Sequence, residues 1–347
     1  MKFNRSIVLK RRPRGIPALE DFELRTASLR PLEEAEILLE HLFLSIDPAI
    51  RGWMADKKSY LPPIALGEPI RSGTLSRIAE SRDPRFPVGT LVQAIAAWEE
   101  RSIVRGEAIM GEIKRIPGIP LAAHLSVLGG NGLTAYFGLF EIGRPQPGET
   151  VVITAAAGGV GMVASQLAKI HGARVIGIAG GEEKKRFLLE DLGLDCAIDY
   201  KNEDVNAALK AAAPRGIDVF FDSVGGELLE IGLARLALRG RIVLCGAISQ
   251  IHEETPPAGP RNYVQLLAKR GRMEGFVTLD YAKRYDEARA ILADHIRSGA
   301  LVHRDEIVSG LEHTPQHFLR LFDGSHRGKL MVQLQPSGEE IDDNDRS

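Results

Sequence analysis

The sequence feature that most constrains the fold is a glycine-rich segment, Thr154–Gly161, which reads Thr-Ala-Ala-Ala-Gly-Gly-Val-Gly. A buried-strand run, Thr150–Thr154, leads into it, and Gly161–Gly172 follows with helical spacing of apolar residues. This order is typical of dinucleotide-binding units, because the N–H groups and the positive dipole end at the helix start hold phosphates. A plain structural turn is the alternative interpretation, and the strand–turn–helix context favours a cofactor loop.

Read as A-x-G-x-x-G, the segment assigns a distinct role to several positions. Ala156 would lie at the tight turn, Gly158 would let the backbone approach a pyrophosphate, and Gly161 would allow close helix–strand packing. Gly159 and Val160 complete the loop at the start of the helix. We expect these five residues to contact the cofactor.

The rest of the middle of the chain alternates apolar strands with helical segments. Glu182–Leu192 has the charge pattern of a helix, and the further strand-like runs are Val175–Ile178, Ala197–Tyr200, Val219–Phe221 and Ile242–Leu244. Continuous apolar strands that alternate with helices predict a parallel sheet covered on both faces. We place this doubly wound α/β domain at residues 128–299.

The flanking segments have a β-rich pattern instead. Residues 1–127 contain short apolar runs between Pro and Gly clusters, and residues 300–335 return to short β-like runs that end in Leu330–Leu334. We predict that both segments form one discontinuous domain, a small barrel with long loops. The polar, acidic tail at 336–347 is expected to be disordered.

The end of the second strand indicates which dinucleotide is bound. An NAD site needs an acid there to bind the ribose hydroxyl, but the chain reads Ile178-Ala179-Gly180-Gly181. Lys184 follows shortly after, and a lysine attracts a 2′-phosphate. We therefore predict NADP(H), with Gly180 and Lys184 at its adenosine end. The alternative is that Lys184 lies on an ordinary solvated helix face.

Composition excludes several classes of protein. The 347 residues carry 44 basic and 46 acidic side chains, so the net charge of −2 gives no drive towards nucleic acid or an anionic membrane. No window approaches the roughly 18 apolar residues of a membrane-spanning helix. The cysteines, Cys196 and Cys245, exclude a disulfide framework and fit a reducing cytoplasm.

Short segments distributed over the chain to about residue 335 together carry a family resemblance. They include Ser45-Ile46-Asp47-Pro48, Arg51-Gly52-Trp53-Met54, Gly132-Leu133-Thr134-Ala135-Tyr136, Asp222-Ser223-Val224-Gly225-Gly226, Gly259-Pro260-Arg261-Asn262-Tyr263, Arg272-Met273-Glu274-Gly275-Phe276 and Gly328-Lys329. With the glycine loop, these segments make the chain similar to the medium-chain dehydrogenase/reductase superfamily. The resemblance is closest to its zinc-independent branch of prostaglandin reductases, alkenal/one oxidoreductases and bacterial curcumin reductase.

The resemblance implies a GroES-like β-barrel domain, a Rossmann domain and a cofactor cleft between them. It also implies a homodimer and NADPH-dependent reduction of the carbon–carbon double bond in α,β-unsaturated ketones or aldehydes. The family's 2′-phosphate lysine matches Lys184, its adenosine-side tyrosine matches Tyr200, and a tyrosine near the substrate matches Tyr263. No early cysteine and no Gly-His-Glu motif is present to bind a catalytic zinc, so we expect no metal.

The chemistry adds further candidates. Hydride addition would place charge on the carbonyl oxygen, so one or two hydrogen-bond donors are needed. Tyr263 is the first candidate donor and Tyr60 the second. Alternatively, Tyr263 could only pack under a loop, and Ser59-Tyr60-Leu61-Pro62 could simply be a structured turn. A ribose hydroxyl of the cofactor could donate instead. Beyond the strand ends, Ser223, Gly246 and Ile248 would contact the cofactor, the last two at its nicotinamide.

Three departures from the family pattern affect the expected pocket. Ala49 and Ile50 replace a Tyr-Met pair, and Gly129-Gly130-Asn131-Gly132 replaces Gly-Met-Pro-Gly. His326 stands where relatives often have an asparagine that contacts the nicotinamide side. We expect the first two changes to alter substrate choice, and the third to weaken that contact or to replace it with an imidazole contact.

Two other functions remain open from the sequence. A quinone reductase shares most of the glycine loop, whereas the segments at 259–263 and 273–276 favour an enone reductase. A non-catalytic protein that binds NADPH for a structural or regulatory purpose is the alternative from another class, and it would consume no acceptor.

Overall fold

A computed structural model of the chain describes residues 3–252 and 258–335. The predicted disorder at 336–347 therefore lies outside the described residues. The chain forms two compact units, one built from the chain up to Leu125 and from Asp305 onward, the other from Ser126 to Arg304. No helix among the described residues is long and apolar enough to cross a membrane.

The described residues form the following strands and α-helices. The strands are β1 (Phe3–Leu9), β2 (Phe22–Ser28), β3 (Glu36–Ser45), β4 (Arg71–Ser81), β5 (Leu91–Ala97), β6 (Arg101–Arg105), β7 (Ile109–Glu112), β8 (Thr150–Ile153), β9 (Arg174–Ala179), β10 (Cys196–Asp199), β11 (Ile217–Asp222), β12 (Leu236–Leu244), β13 (Arg272–Gly275), β14 (Asp305–Ser309) and β15 (Lys329–Gln333). The α-helices are α1 (Ala49–Trp53), α2 (Gly130–Phe137), α3 (Gly159–Ile170), α4 (Glu182–Arg186), α5 (Val205–Ala212), α6 (Gly226–Ala234), α7 (Gln265–Lys269), α8 (Tyr285–Arg297) and α9 (Thr314–Asp323).

The first unit is a mostly antiparallel β structure. Its seven-stranded sheet has the order β14-β15-β3-β4-β5-β7, with β6 also paired to β3, and β1 and β2 form a separate two-stranded sheet. The last strand, β15, pairs antiparallel with β3, placing Met331 opposite Ser45. Strands from residues 36–112 and from residues 305–333 therefore build one sheet. Its main core contains Leu9, Leu44, Trp98 and Phe318, each fully buried.

The second unit is a six-stranded parallel sheet with the order β10-β9-β8-β11-β12-β13. The first strand in sequence, β8, lies between β9 and β11, so the chain winds outward in one direction and then in the other. This is the Rossmann order, and it confirms the predicted doubly wound α/β domain beside a separate sheet domain. Ligands of such sheets bind at the carboxyl ends of the strands, where this reversal occurs.

The sheet of the second unit lies between helices because the side chains of its central strands are apolar and buried. Val151, Val152 and Ile153 of β8 are fully buried, as are Phe220 and Phe221 of β11. A strand whose side chains are buried on both faces needs a helix layer on each side. Turns at the carboxyl ends of these strands then carry the candidate site residues.

Candidate functional site

The glycine loop forms a tight turn that leads directly from β8 into α3. The left-handed residue of this turn is Ala155, with φ of 49°, one position before the predicted Ala156. Ala156 is fully buried, and its N–H donates to the carbonyl of Ile178 in β9 at 3.0 Å. Gly158 is the N-cap residue of α3, and its N–H donates to the carbonyl of Ala155 at 2.9 Å.

Gly161 and Gly158 permit close backbone packing in the loop, and the space for a side chain is smaller at Gly161 than at Gly158. A Cβ at Gly161 would lie 2.3 Å from the Ala155 carbonyl oxygen and 2.8 Å from the Cα of Ala156, so no side chain fits there. A Cβ at Gly158 would lie 3.2 Å from the same oxygen. Gly158, Gly159 and Val160 are half-buried, so the first turn of α3 is accessible from outside. A helix N-terminus of this kind binds anions such as phosphate.

Thr154 and Asp222 form a buried side-chain pair beneath the loop, and the sequence did not predict this pairing. The hydroxyl of Thr154 donates to the carboxylate of Asp222 at 2.8 Å and accepts from the N–H of Ser223 at 2.8 Å. Asp222 also accepts from the N–H groups of Val224 and Gly225, at 2.9 and 3.0 Å. These bonds join the turn after β8 to the turn after β11. Burial raises the pKa of Asp222.

The turns after β9 and β10 are tied together in a similar way. The buried carboxylate of Asp199 accepts from the N–H groups of Gly181 at 2.7 Å and Lys201 at 3.0 Å. Burial alone would raise the pKa of Asp199, but these bonds and one from Asn202 hold it below its ordinary value. The contact places Gly180 beside the ring of Tyr200, where a Cβ would lie 2.8 Å from Cε1. Gly180 and Tyr200, two of the three predicted adenosine-side residues, therefore lie together.

Helix α4 carries two adjacent lysines, Lys184 and Lys185. Lys185 forms an ion pair with Glu203, with Nζ 2.6 Å from Oε1. Hydrogen bonds from Lys185 and from the N–H of Asp199 hold the pKa of Glu203 below its ordinary value. Lys184 is half-buried in the same short helix, which begins after Gly181. No acid follows β9 before α4, so the chain has no carboxylate at the position that binds the ribose in NAD sites.

The predicted nicotinamide-side residues lie at the same edge of the sheet. The N–H of Gly246 donates to the backbone carbonyl of Asp222 at 3.1 Å, and that of Ile248 donates to the carbonyl of Ser223 at 3.2 Å. The turn after β12 is thereby bonded to the turn after β11. The candidate residues of the second unit thus follow one continuous edge, from Tyr200 to Gly246.

The Tyr263 side chain is 62% exposed, so within residues 3–252 and 258–335 no loop covers most of it. Its segment is anchored to α6, because the Asn262 amide donates to the carbonyl of Glu230 at 2.7 Å. The N–H of Arg261 donates to the Glu230 carboxylate at 3.0 Å. The backbone beside Tyr263 is therefore fixed while its hydroxyl remains available.

The remaining two candidates belong to the first unit. Tyr60 is 54% exposed, and its ring meets Trp53 edge-on with the centroids 6.2 Å apart. Desolvation of the Tyr60 hydroxyl raises its pKa, and the nearby Asp47 carboxylate adds to this rise. His326 is half-buried, with Nδ1 3.1 Å from the carbonyl oxygen of Arg320.

The possible metal ligands of the chain are its His, Cys, Asp and Glu side chains. Within residues 3–252 and 258–335, no group of three or more His, Cys, Asp or Glu side chains could hold a metal ion. The thiols of Cys196 and Cys245 are both unbridged. Burial raises the pKa of Cys245 to about 12, so this thiol next to Gly246 stays protonated.

Comparisons with known proteins agree with this architecture. Residues 5–111 match the family described as the N-terminal domain of oxidoreductase, and residues 159–294 match the family described as zinc-binding dehydrogenase. The chain is 37% identical to the NADPH-dependent curcumin reductase of Escherichia coli over 338 residues, which cover 95% of this chain and 97% of the relative. It is also 37% identical to the NADP(+)-dependent 2-alkenal reductase of Nicotiana tabacum over 336 residues, again 95% and 97% of the two chains.

A solved structure extends the likeness to three dimensions. The structure of CurA from Vibrio vulnificus in complex with NADPH has a TM-score of 0.89 and 38% sequence identity. The alignment covers 95% of this chain and 99% of CurA. The cofactor predicted from the missing acid after β9 is the one named for all three relatives. The chain therefore belongs to the medium-chain dehydrogenase/reductase superfamily, in the branch that holds the curcumin and 2-alkenal reductases.

Proposed function

We propose that the protein is an NADPH-dependent reductase of the carbon–carbon double bond in α,β-unsaturated ketones and aldehydes. The observation that carries this proposal is a glycine loop at the start of α3, typical of dinucleotide-binding sites, in a chain that has no acid between β9 and α4 but has a lysine, Lys184, in α4. The named activities of the curcumin and 2-alkenal reductases supply the substrate class.

The residues of the second unit fit such a cofactor. The first turn of α3, Gly158 to Val160, offers backbone N–H groups to the pyrophosphate, and the space beside Gly161 admits no side chain. Lys184 would pair with the 2′-phosphate and Tyr200 would lie at the adenosine. When bound, NADPH supplies the hydride for the substrate β-carbon.

The side chains of this protein then have two tasks. A hydrogen-bond donor must stabilise the charge that develops on the carbonyl oxygen, and a proton must reach the α-carbon. Tyr263 is the first candidate donor because its hydroxyl is exposed on an anchored segment. Tyr60 is the second, and its raised pKa keeps it in the donating form at neutral pH. Water would deliver the proton to the α-carbon.

The proposal extends to the assembly and its location. The resemblance implies a homodimer, and the two unbridged cysteines fit the reducing cytoplasm. Sedimentation of the purified chain would test the dimer, because a monomer and a dimer of this chain differ twofold in mass.

The decisive experiment follows NADPH oxidation by absorbance against a 2-alkenal, an aryl enone, a quinone and a saturated ketone, with NADH in parallel. We expect turnover of the alkenal or enone, no turnover of the saturated ketone, and a preference for NADPH. Turnover of the quinone alone would establish a quinone reductase instead. Tight NADPH binding without turnover of any acceptor would indicate a non-catalytic binding protein.

A matched pair of variants tests the cofactor assignment separately. Lys184→Ala should weaken NADPH by about tenfold to 100-fold, since one charge-assisted contact is worth about 1.5–3 kcal/mol, and should leave NADH unchanged. Lys185→Ala removes the neighbouring lysine, which is paired with Glu203, and should change NADPH affinity far less. An equal loss in both variants would contradict the assignment of Lys184.

A further inference from the structure

We propose that the ion pair between the buried Lys329 and the half-buried Asp47 is a positioning device for helix α1 and the Tyr60 loop, and thereby a determinant of substrate choice. This inference rests on the proposed function, because it treats Ala49 and Tyr60 as residues that face the substrate. It adds a pair that lies outside the candidate residues obtained from the sequence.

Lys329 is a buried lysine whose side chain is only 3% exposed. Its Nζ donates to the Asp47 carboxylate at 2.6 Å and to the backbone carbonyl of Ile46 at 2.9 Å. Removing the Asp47 charge is therefore expected to be destabilising, because the buried ammonium group would stay desolvated without its counter-ion. The first residue of β15 therefore fixes the chain at the end of β3.

Asp47 transmits this anchor to α1. One carboxylate oxygen binds Lys329, the other accepts from the hydroxyl of Ser45, and the backbone carbonyl accepts from the N–H of Ile50 at 3.2 Å. With both oxygens engaged, the carboxylate has little rotational freedom. The first turn of α1 begins on this fixed residue, and its Ala49 is half-buried.

Helix α1 in turn holds the loop that carries Tyr60. The carbonyl of Trp53 accepts from the N–H of Ile64 at 2.8 Å, so the loop leaves α1 and returns to it. The Trp53 ring also meets the Tyr60 ring edge-on. A rotation of α1 would therefore move both ends of the loop and the surface against which Tyr60 packs.

The sequence around α1 makes this anchor more important. Where the family pattern has a tyrosine and a methionine, this chain has the smaller Ala49 and Ile50. A small residue at 49 fills less space, so the position of the backbone sets more of the pocket shape. A misplacement of about 1 Å in a reacting site can cost about 100-fold in rate. By fixing the position of α1, the ion pair would then influence which substrates fit the pocket.

The test compares Lys329→Met and Asp47→Asn with Lys169→Met. The first two variants remove one charge of this ion pair while keeping a similar side-chain size. The control variant removes the lysine of an ordinary pair, Lys169 with Asp195 at 2.9 Å in the second unit. For each, kcat/KM is measured for a short 2-alkenal and for a bulky aryl enone, together with the KM for NADPH.

We expect the ratio of the two kcat/KM values to shift by about fivefold or more in both pair variants, with the KM for NADPH within about twofold of wild type. A purely structural role would lower both activities equally and leave their ratio unchanged, and that result would overturn the proposal. A ratio shift of the same size in Lys169→Met would also overturn it. If Lys329→Met does not fold, the ratio in Asp47→Asn decides the question.

A second readout separates this proposal from the proposed function. If the wild-type protein reduces neither compound, the double-bond reductase assignment fails, and hydrogen exchange then tests the positioning role. The N–H groups of Ile50 and Met54 should exchange faster in Asp47→Asn than in wild type, while those of α3 should not change. Equal exchange at Ile50 and Met54 would refute the anchor itself.

Discussion

Replacing Thr154 by valine tests whether the buried hydroxyl, and not the buried methyl group, holds the cofactor loop in place. Thr154 is fully buried directly before the turn of the glycine loop. Its hydroxyl forms one bond to the Asp222 carboxylate and one from the N–H of Ser223, both at 2.8 Å. Valine keeps the shape of the side chain and removes both bonds.

The expected magnitude follows from these two bonds. A hydrogen bond to a charged group contributes about 1.5–3 kcal/mol, and leaving a buried N–H without a partner costs about 1–3 kcal/mol. Because one hydroxyl makes both bonds, the two losses do not simply add, and we expect about 2–5 kcal/mol of lost stability. Thr154→Ser keeps the hydroxyl and loses one methyl group, which costs about 0.5–1.5 kcal/mol by analogy with other single-methyl deletions.

Urea denaturation of wild type and both variants measures the free energy of unfolding, and NADPH titration measures cofactor affinity. Valine should be the more damaging replacement in both measurements, because the turns after β8 and β11 lose their connection. If the serine variant is less stable than the valine variant, methyl packing dominates at this position. That outcome, or a valine variant as stable as wild type, refutes the role given to the hydroxyl.

Three further predictions address the glycine loop, the candidate donor and pH. Gly161→Ala should cost about 1–3 kcal/mol of stability and most of the NADPH affinity. Gly158→Ala should cost only about 1 kcal/mol of stability, because its Cβ would lie 3.2 Å from the nearest atom. Equal losses of stability in denaturation would contradict the packing argument. Tyr263→Phe should lower kcat without abolishing it, and complete loss of turnover with intact NADPH binding would make Tyr263 essential. Burial lowers the pKa of His41 from 6.5 to about 3, so between these values the unfolded chain binds a proton that the folded chain does not, and stability falls as pH falls. His41→Gln should remove up to about 1.4 kcal/mol per pH unit of that slope, which denaturation at pH 7, 5.5 and 4 would measure, and parallel slopes would contradict this.

The parts of the fold that follow from local patterns were predictable. Apolar runs and the glycine loop located β8, α3 and β9, because a buried parallel strand and its following helix each have a local signature. The absence of an acid after β9 was equally visible in the sequence. Ala156 lies within the turn that the Gly158 N–H closes on the Ala155 carbonyl, but the left-handed backbone of Ala155 had no signal in the sequence.

Contacts between distant segments could not be predicted from one sequence. Thr154 lies 68 residues from Asp222, and Asp47 lies 282 residues from Lys329. No periodicity or spacing connects such residues, and only the strand order brings them together. Asp222 and Lys329 lie in segments that carry the family resemblance, Asp222–Gly226 and Gly328-Lys329. The resemblance did not identify Thr154 as the partner of Asp222 or Asp47 as the partner of Lys329. Short elements, such as α1 and β13, have too few residues for a periodic signal.

The buried carboxylates explain how a site made largely of backbone acquires a fixed shape. The groups that we propose contact the cofactor are mostly N–H groups and glycine surfaces, which have no side chains of their own to orient them. Asp199 accepts the N–H of Gly181 in the neighbouring turn, whereas Asp222 accepts N–H groups of its own turn and the hydroxyl of Thr154 at the end of β8. Each carboxylate therefore joins two strand ends. Substitutions at half-buried predicted contact residues such as Ile248 should therefore alter affinity locally. Loss of either carboxylate should instead displace a whole turn, which makes these two aspartates the more informative positions for mutagenesis.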